Sequence, residues 1–153
     1  MGRVETRLSG LGLVVPSVAA PLAAYVPAVH TGNHVFTSGQ LPLRDGEMIL
    51  TGKVGGEVSA EDAADCARQC ALNAIAAVKA EIGDLDRVKR VVKAVVFVAS
   101  SPDFTGQPLV ANGASELFGA AFGDVGKHAR SAVGVTVLPL DSPVEVELIV
   151  EVD

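Results

Sequence analysis

The segment VEVELIVEV, residues 144–152, has aliphatic residues at every even position and mostly acidic residues at the odd positions. Because successive side chains of a β-strand point to opposite faces, this alternation predicts a strand with one buried and one polar face. The buried face is expected to lie under helices. The polar face consists of Glu145, Glu147, Ile149 and Glu151.

A second strand is predicted just before it, over residues 130–138. One of its faces carries Ser131, Val133, Val135 and Val137. The other face carries Arg130, Ala132, Gly134 and Thr136. We expect the aliphatic face to lie under the helices and residues 138–143 to join the two strands as an antiparallel hairpin. A symmetric loop would then place Arg130 near Glu151.

Two long helices are predicted from residues at helical spacing. The first begins near Ser59, where Asp62 completes a loose capping box, and ends at Gly83. Its inner stripe consists of small residues, so the helix can lie close to a sheet. The second covers roughly residues 108–122. A shorter helix is expected over residues 4–15.

The remaining segments are mostly extended. Residues 34–39 predict a strand, a turn at 44–46 leads into extended residues 47–51, and residues 17–29 are expected to be extended or irregular. Residues 89–99 predict a long strand with one face formed by Val92, Ala94, Val96 and Val98. Because helices and strands do not alternate regularly, the order predicts an α+β fold: a mixed sheet with two helices on one face.

Length and composition narrow the class of protein. The 153 residues fit one domain, residues 1–153. The mean hydropathy of +0.41 is high, which a subunit that buries apolar surface against copies of itself would explain. No stretch approaches the roughly 18 apolar residues of a membrane span, so no membrane association is expected.

Charge and cysteine usage point to a reduced, cytoplasmic protein that does not bind nucleic acid. The net charge of −6 makes nucleic acid a poor partner. No secretory signal is recognisable at the start of the chain. Cys66 and Cys70 are interpreted as small buried residues rather than as a disulfide or metal site. Neither a metal nor a cofactor is expected.

The polar face of the last strands admits two interpretations. It can be a solvated surface on which Arg130 pairs with a nearby glutamate, a contact that stabilises little. It can also be a subunit interface at which a lone arginine lies beside a polar pocket. The alternation is the same in both cases, so it does not distinguish them.

Several short motifs resemble the YjgF/RidA family of reactive intermediate deaminases, in order and with similar spacing. They are Tyr25-Val26, Thr37-Ser38-Gly39-Gln40, Asn112, Arg130-Ser131, Leu138-Pro139 and Val144-Glu145-Val146-Glu147. The resemblance runs from about Tyr25 to the end and is densest over residues 130–147. It implies a chorismate-mutase-like fold, in which three subunits pack their sheets into a central barrel.

The resemblance also implies a binding site in clefts between neighbouring subunits. Arg130 matches the arginine that holds the substrate carboxylate. Glu145 matches the glutamate that positions or activates water. The residues that match the lining of the cleft are Tyr25, Ser38, Gly39 and Asn112.

The chain departs from the family pattern at several places. Ala132 occupies the substrate-binding position of a family cysteine, and Gly134 replaces a common glutamate. An N-terminal extension covers residues 1–22, the segment 42–56 is longer than in compact members, and two extra residues lie near 107–108. The loss of the thiol is tolerable because water is the expected nucleophile. The longer segments leave room for a different substrate.

The resemblance implies hydrolytic deamination of enamine and imine metabolites to 2-oxo acids and ammonia by a homotrimer, without a cofactor. The alternative is a non-catalytic trimer that binds a small carboxylate metabolite as a sensor or carrier. Ribonuclease activity, reported for some relatives, conflicts with the acidic charge. No catalytic role is assigned to His30, His34 or His128.

Overall fold

The computed structural model describes residues 1–18 and 24–153 of the chain. The helices are α1 (Arg3–Gly10), α2 (Ala60–Ile82) and α3 (Gln107–Phe122). The strands are β1 (Ala28–Thr31), β2 (His34–Thr37), β3 (Leu43–Arg44), β4 (Glu47–Met48), β5 (Val88–Ala99), β6 (Ala129–Val135) and β7 (Val144–Val152). Part of the segment predicted to be extended or irregular, residues 19–23, lies outside the described residues.

Five strands form one mixed sheet in the order β1-β2-β7-β5-β6. Strands β5 and β6 are parallel, and the other neighbours are antiparallel. Strands β3 and β4 form a separate hairpin around Asp45 and Gly46, which have φ values of 54° and 81°. The predicted α+β class, mixed sheet and 44–46 turn are therefore confirmed.

Helices α2 and α3 pack on one face of the sheet, as predicted. The Oγ of Ser59 accepts a hydrogen bond from the backbone N of Asp62 at 3.1 Å, and Gly83 ends α2 with φ at 83°. Close packing of the two helices depends on Gly113, because a Cβ there would lie only 2.0 Å from the carbonyl oxygen of Ala64. The aliphatic side chains of β7 are buried beneath these helices.

Helix α1 is shorter than the predicted 4–15 helix. It ends at Gly10, and Gly12 follows in the left-handed region with φ at 76°. Val4 and Leu8 bury the inner face of α1 in the core. Within the described residues, no helix is both long enough and apolar enough to cross a membrane.

The predicted hairpin between the last two strands is wrong. Strand β5 lies between β6 and β7, so Glu151 has His34 and Arg90 as neighbours across the strands, not Arg130. The connection passes beyond the end of β5, where the N of Ala99 donates to the oxygen of Pro143 at 2.9 Å. The alternation defined both strands, but it carried no information about which strand pairs with which.

The assignment of the two faces of β6 is also wrong. Val133 is 43% exposed and Val137 is 61% exposed, whereas Ala132 packs against the core. Arg130 is the register partner of the buried Ala94, so its side chain lies on the helix side of the sheet. Because side chains alternate along a strand, Val133 and its register partner Phe97 lie on the opposite side of the sheet.

The predicted face of β5 is partly wrong. Ala94, Val96 and Val98 are buried, but Val91 takes the place predicted for Val92. A register shift against β7 between Val91 and Lys93 is the physical cause. An irregularity of this kind changes which side chains face the core without altering the pattern in the sequence.

The opposite face of the sheet, here called the open sheet face, carries none of the described helices. Apolar side chains nevertheless extend across it along the register of β1, β2, β7, β5 and β6. Phe36 is 44% exposed there. The apolar residues of the open sheet face are Val29, Phe36, Val95, Phe97, Val133 and Ile149.

Candidate functional site

Arg130 lies on the edge strand β6 and is anchored to α3 through a single nitrogen. Its Nη1 donates to Asn112 Oδ1 at 2.8 Å and to Ser115 Oγ at 3.2 Å. Among the described residues, neither Nε nor Nη2 has a hydrogen-bond partner, and no carboxylate lies within ion-pair distance. The guanidinium therefore has one fixed corner and one open edge, which is the geometry for side-on, bidentate recognition of a carboxylate.

The anchor extends to a histidine that the sequence analysis left without a role. Ser115 Oγ lies 2.9 Å from His128 Nε2, and His128 Nδ1 lies 2.6 Å from the carbonyl oxygen of Gly126. The ring of Phe118 meets the imidazole edge-on at 5.5 Å between centroids. Sequence reasoning missed Ser115, although its spacing of three from Asn112 places both on one face of α3.

Glu145 belongs to a second group of predicted site residues, near the end of β2. Gly39 lies against it, because a Cβ at position 39 would be 2.0 Å from Glu145 Oε1. Backbone hydrogen bonds between Gln40 and Val146, at 2.8 and 3.0 Å, hold the two segments together. Burial raises the pKa of the Glu145 carboxyl, and the nearby charge of Glu147 raises it further.

Ser38 and Tyr25 accompany this second group. The Ser38 hydroxyl donates to the carbonyl oxygen of Val26 at 2.6 Å, and the Ser38 N donates to that of Pro27 at 2.8 Å. These bonds hold the segment that carries Tyr25 beside the end of β2. Tyr25 is 55% exposed, so its ring is available for contact with another molecule.

The two groups do not meet within one chain. Arg130 and Asn112, with Ala132 nearby on β6, lie on the helix side at the sheet edge. Glu145 lies on the open sheet face, where its register partner across β5 is Phe97. The structure thus places the predicted residues in two separate groups, one on each side of the sheet.

Gly134 in β6, predicted to stand where the family has a glutamate, lies against the side chain of Gln107. A Cβ at Gly134 would lie 2.9 Å from Gln107 Nε2 and 3.2 Å from Ser100 Oγ. That amide nitrogen donates to Ser100 Oγ and to the carbonyl oxygen of Phe104. The flexible end of Gln107 therefore lies against position 134, and a Cβ there would have to displace it.

Cys66 and Cys70 are buried, as predicted, and neither forms a disulfide. Burial raises the pKa of Cys66 to about 11 and the pKa of Cys70 well above its usual range. Both thiols therefore stay protonated at neutral pH and are poor nucleophiles. In the described parts of the chain, no group of three or more His, Cys, Asp or Glu side chains is placed to hold a metal ion.

Comparison with known proteins gives a consistent result. A family profile described as "YjgF/chorismate mutase-like, putative endoribonuclease" matches residues 5–152. Protein TCP17 of Trypanosoma cruzi is 48% identical, over 99% of this chain and 96% of its own length. The 2-iminobutanoate/2-iminopropanoate deaminase of Escherichia coli K12 is 33% identical, over 90% and 94%.

A solved structure extends the likeness to three dimensions. The crystal structure of Atu1372 from Agrobacterium tumefaciens, a protein of unknown function, superimposes with a TM-score of 0.93. The two sequences are 45% identical, and the match covers 99% of this chain and 94% of that one. Together with the family match over residues 5–152, this shows that the chain belongs to the YjgF/RidA family.

Proposed function

We propose that this protein is a homotrimeric deaminase that hydrolyses 2-imino acids, and their enamine tautomers, to 2-oxo acids and ammonia. The observation that carries the proposal is the open edge of the Arg130 guanidinium, which is anchored through Nη1 alone. The relatives named 2-iminobutanoate/2-iminopropanoate deaminases support the same chemistry.

Arg130 is proposed to bind the substrate carboxylate. The substrate carries its imine carbon next to that carboxylate, so two parallel hydrogen bonds would fix the direction in which the reacting carbon points. A chain of net charge −6 repels small acids at long range, so a local cation is needed to hold one. Holding the carbon in one orientation supplies much of the acceleration.

Glu145 is proposed to activate water. The substrate reacts as the protonated iminium: the Glu145 carboxylate accepts a proton as the water oxygen bonds to the imine carbon, and the C=N electron pair moves onto the nitrogen, which becomes a neutral amine. The carboxyl then returns the proton to that nitrogen. The carboxylate takes the hydroxyl proton as the C=O bond forms and the carbon–nitrogen bond breaks, so that ammonia leaves and the proton passes from Glu145 to solvent. Burial raises the pKa of Glu145, which makes its carboxylate a stronger base than an exposed glutamate.

The proposed site is completed by a second copy of the chain. Arg130 of one subunit and Glu145 of its neighbour would face one cleft, because within one chain they lie on opposite sides of the sheet. The exposed apolar side chains of the open sheet face favour the same partner. Burying such residues against copies of themselves in a barrel removes them from water.

The proposal is tested with imines generated continuously by an amino-acid oxidase. Imines also hydrolyse in water, so the measured quantity is the acceleration over buffer of 2-oxo acid and ammonia release. Acceleration that depends on Arg130 supports the proposal. Equal rates with the wild-type protein and with Arg130→Ala would contradict it. Binding of the 2-oxo acid without acceleration would instead favour the carboxylate-binding protein.

Placing a charge on the open sheet face is expected to disrupt the trimer. Phe36→Asp puts a carboxylate among apolar groups that would be buried, so we expect a monomer in sedimentation velocity and loss of deaminase activity. Leu11→Asp is the matched control, since Leu11, just after α1, is 45% exposed and Phe36 is 44% exposed. A Phe36→Asp protein that remains trimeric would place the interface elsewhere.

Adding a methyl group at position 39 is expected to displace the proposed base. The Cβ of Gly39→Ala would overlap Glu145 Oε1, and the flexible carboxylate would move away. We expect kcat to fall about tenfold to 100-fold, since acid–base catalysis is sensitive to position, with a melting temperature close to that of the wild type. Gly10→Ala, which has open space around it, is the control. Unchanged kcat would argue against Glu145 as the base.

A further inference from the structure

We infer that Ser115 and His128 are positioning residues for Arg130 and that they act through a single tautomer of the histidine ring. The inference rests on the proposed function for the class of ligand, a small carboxylate. Its basis is a continuous chain of hydrogen bonds from Arg130 through Ser115 and His128 to the backbone at Gly126.

The direction of each hydrogen bond follows from the groups at the two ends. The carbonyl oxygen of Gly126 can only accept, so His128 Nδ1 carries a proton and donates to it at 2.6 Å. In a neutral ring Nε2 then has no proton and accepts, so the Ser115 hydroxyl donates to it at 2.9 Å. The lone pairs of Ser115 Oγ are left for the N–H of Arg130 Nη1 at 3.2 Å.

The Gly126 end of this series of hydrogen bonds is held rigidly. A Cβ at position 126 would lie 2.4 Å from the carbonyl oxygen of Phe118, so the loop packs directly on the backbone of α3. The ring of Phe118 also contacts the imidazole edge-on. The tautomer and the ring plane of His128 are therefore imposed by the fold, and they impose the orientation of the Ser115 hydroxyl.

Ser115 gives the Arg130 guanidinium a second hydrogen-bonded anchor beside Asn112. With Asn112 alone, the guanidinium could rotate about the bond from Nη1 to Oδ1. With Ser115 as well, both protons of Nη1 are engaged and the plane of the guanidinium is defined, while Nε and Nη2 have no hydrogen-bond partner among the described residues. Ordering a long side chain before the ligand arrives lowers the entropic cost of binding.

The first test measures affinity for 2-oxobutanoate, a product of the proposed reaction, by NMR titration. We expect Ser115→Ala to weaken binding about fivefold to 20-fold, because one hydrogen bond to a charged group is lost. Ser115→Thr, which keeps the hydroxyl, is expected to restore most of that affinity. His128→Phe should weaken binding similarly, and His128→Gln, which offers an acceptor oxygen, should restore part of it. Unchanged affinity in Ser115→Ala would overturn the inference.

The second test needs no ligand, so it separates this inference from the proposed function. Two-bond proton–nitrogen correlations of labelled histidine should show His128 protonated at Nδ1. The Nε–H group of Arg130 should become more mobile in Ser115→Ala than in Ser115→Thr, as measured by the heteronuclear NOE. Protonation at Nε2, or equal mobility in both variants, would overturn the inference. Failure of the wild type to bind 2-oxobutanoate, with the NMR results as expected, would overturn only the proposed ligand.

Discussion

Replacing Arg130 with alanine is expected to lower kcat/KM for 2-iminobutanoate by about 100- to 1,000-fold, because losing one partner of a hydrogen-bonded ion pair costs about 3–4 kcal/mol. The loss should appear in both KM and kcat, since Arg130 is proposed to bind the carboxylate and also to orient the reacting carbon. The amount of oxidase sets how fast the imine is supplied. Measuring the deamination rate at several supply rates gives kcat and KM separately.

Two further arginine variants test whether the effect depends on the bidentate geometry of Arg130. Arg130→Lys keeps the charge but not the fork, so we expect it to recover only part of the activity. Arg3→Ala removes an arginine whose side chain is 78% exposed on α1, and it should leave kcat/KM unchanged. If Arg130→Lys were as active as the wild type, recognition would depend on charge alone, and the bidentate geometry argued above would be wrong.

Replacing Glu145 with glutamine is expected to lower kcat by about 100- to 1,000-fold, the usual contribution of a positioned general acid–base group. The amide keeps the shape of the side chain beside Gly39 but cannot accept the proton from water. Affinity for 2-oxobutanoate should change little, since Arg130 and not Glu145 is proposed to hold the carboxylate. The matched control is Glu151→Gln at the other end of β7. A Glu145→Gln enzyme with normal kcat would exclude Glu145 as the base.

The pH dependence of kcat/KM provides a second reading of Glu145. The proposed base is the ionised form of Glu145, so kcat/KM should fall as the pH drops through the pKa of this carboxyl. Burial raises that pKa above its ordinary value of 4.5, so the acidic limb should lie above pH 4.5. Glu147→Gln removes a like charge and should move the limb to lower pH. A limb that persists in Glu145→Gln would belong to another group.

Local patterns were sufficient for most of the secondary structure. The strict alternation at residues 144–152 predicted β7 with its bounds, and Ser59 and Gly83 predicted the two ends of α2. These features succeed because a cap or a strand face is determined by residues that are neighbours along the chain. Of residues 47–51, which were predicted to be extended, only Glu47–Met48 is in a strand.

Strand pairing could not be predicted in the same way. Placing β6 beside β7 was the natural assumption for two consecutive strands, but β5 lies between them. Pairing is decided by which strands best fill the space under α2 and α3, a property of the whole chain. The error reversed the expected surroundings of Arg130, which contacts Asn112 and Ser115 of α3 rather than a glutamate of β7.

The sequence by itself determined that this chain is an α+β protein of the YjgF/RidA family, because motif order and strand alternation are properties of the linear chain. Only the tertiary structure showed that Arg130 and Glu145 occupy opposite sides of one sheet, and that His128 reaches Arg130 through Ser115. The physical reason is that the direction of a side chain depends on which strand or helix packs beside it. That neighbour is chosen by the fold as a whole.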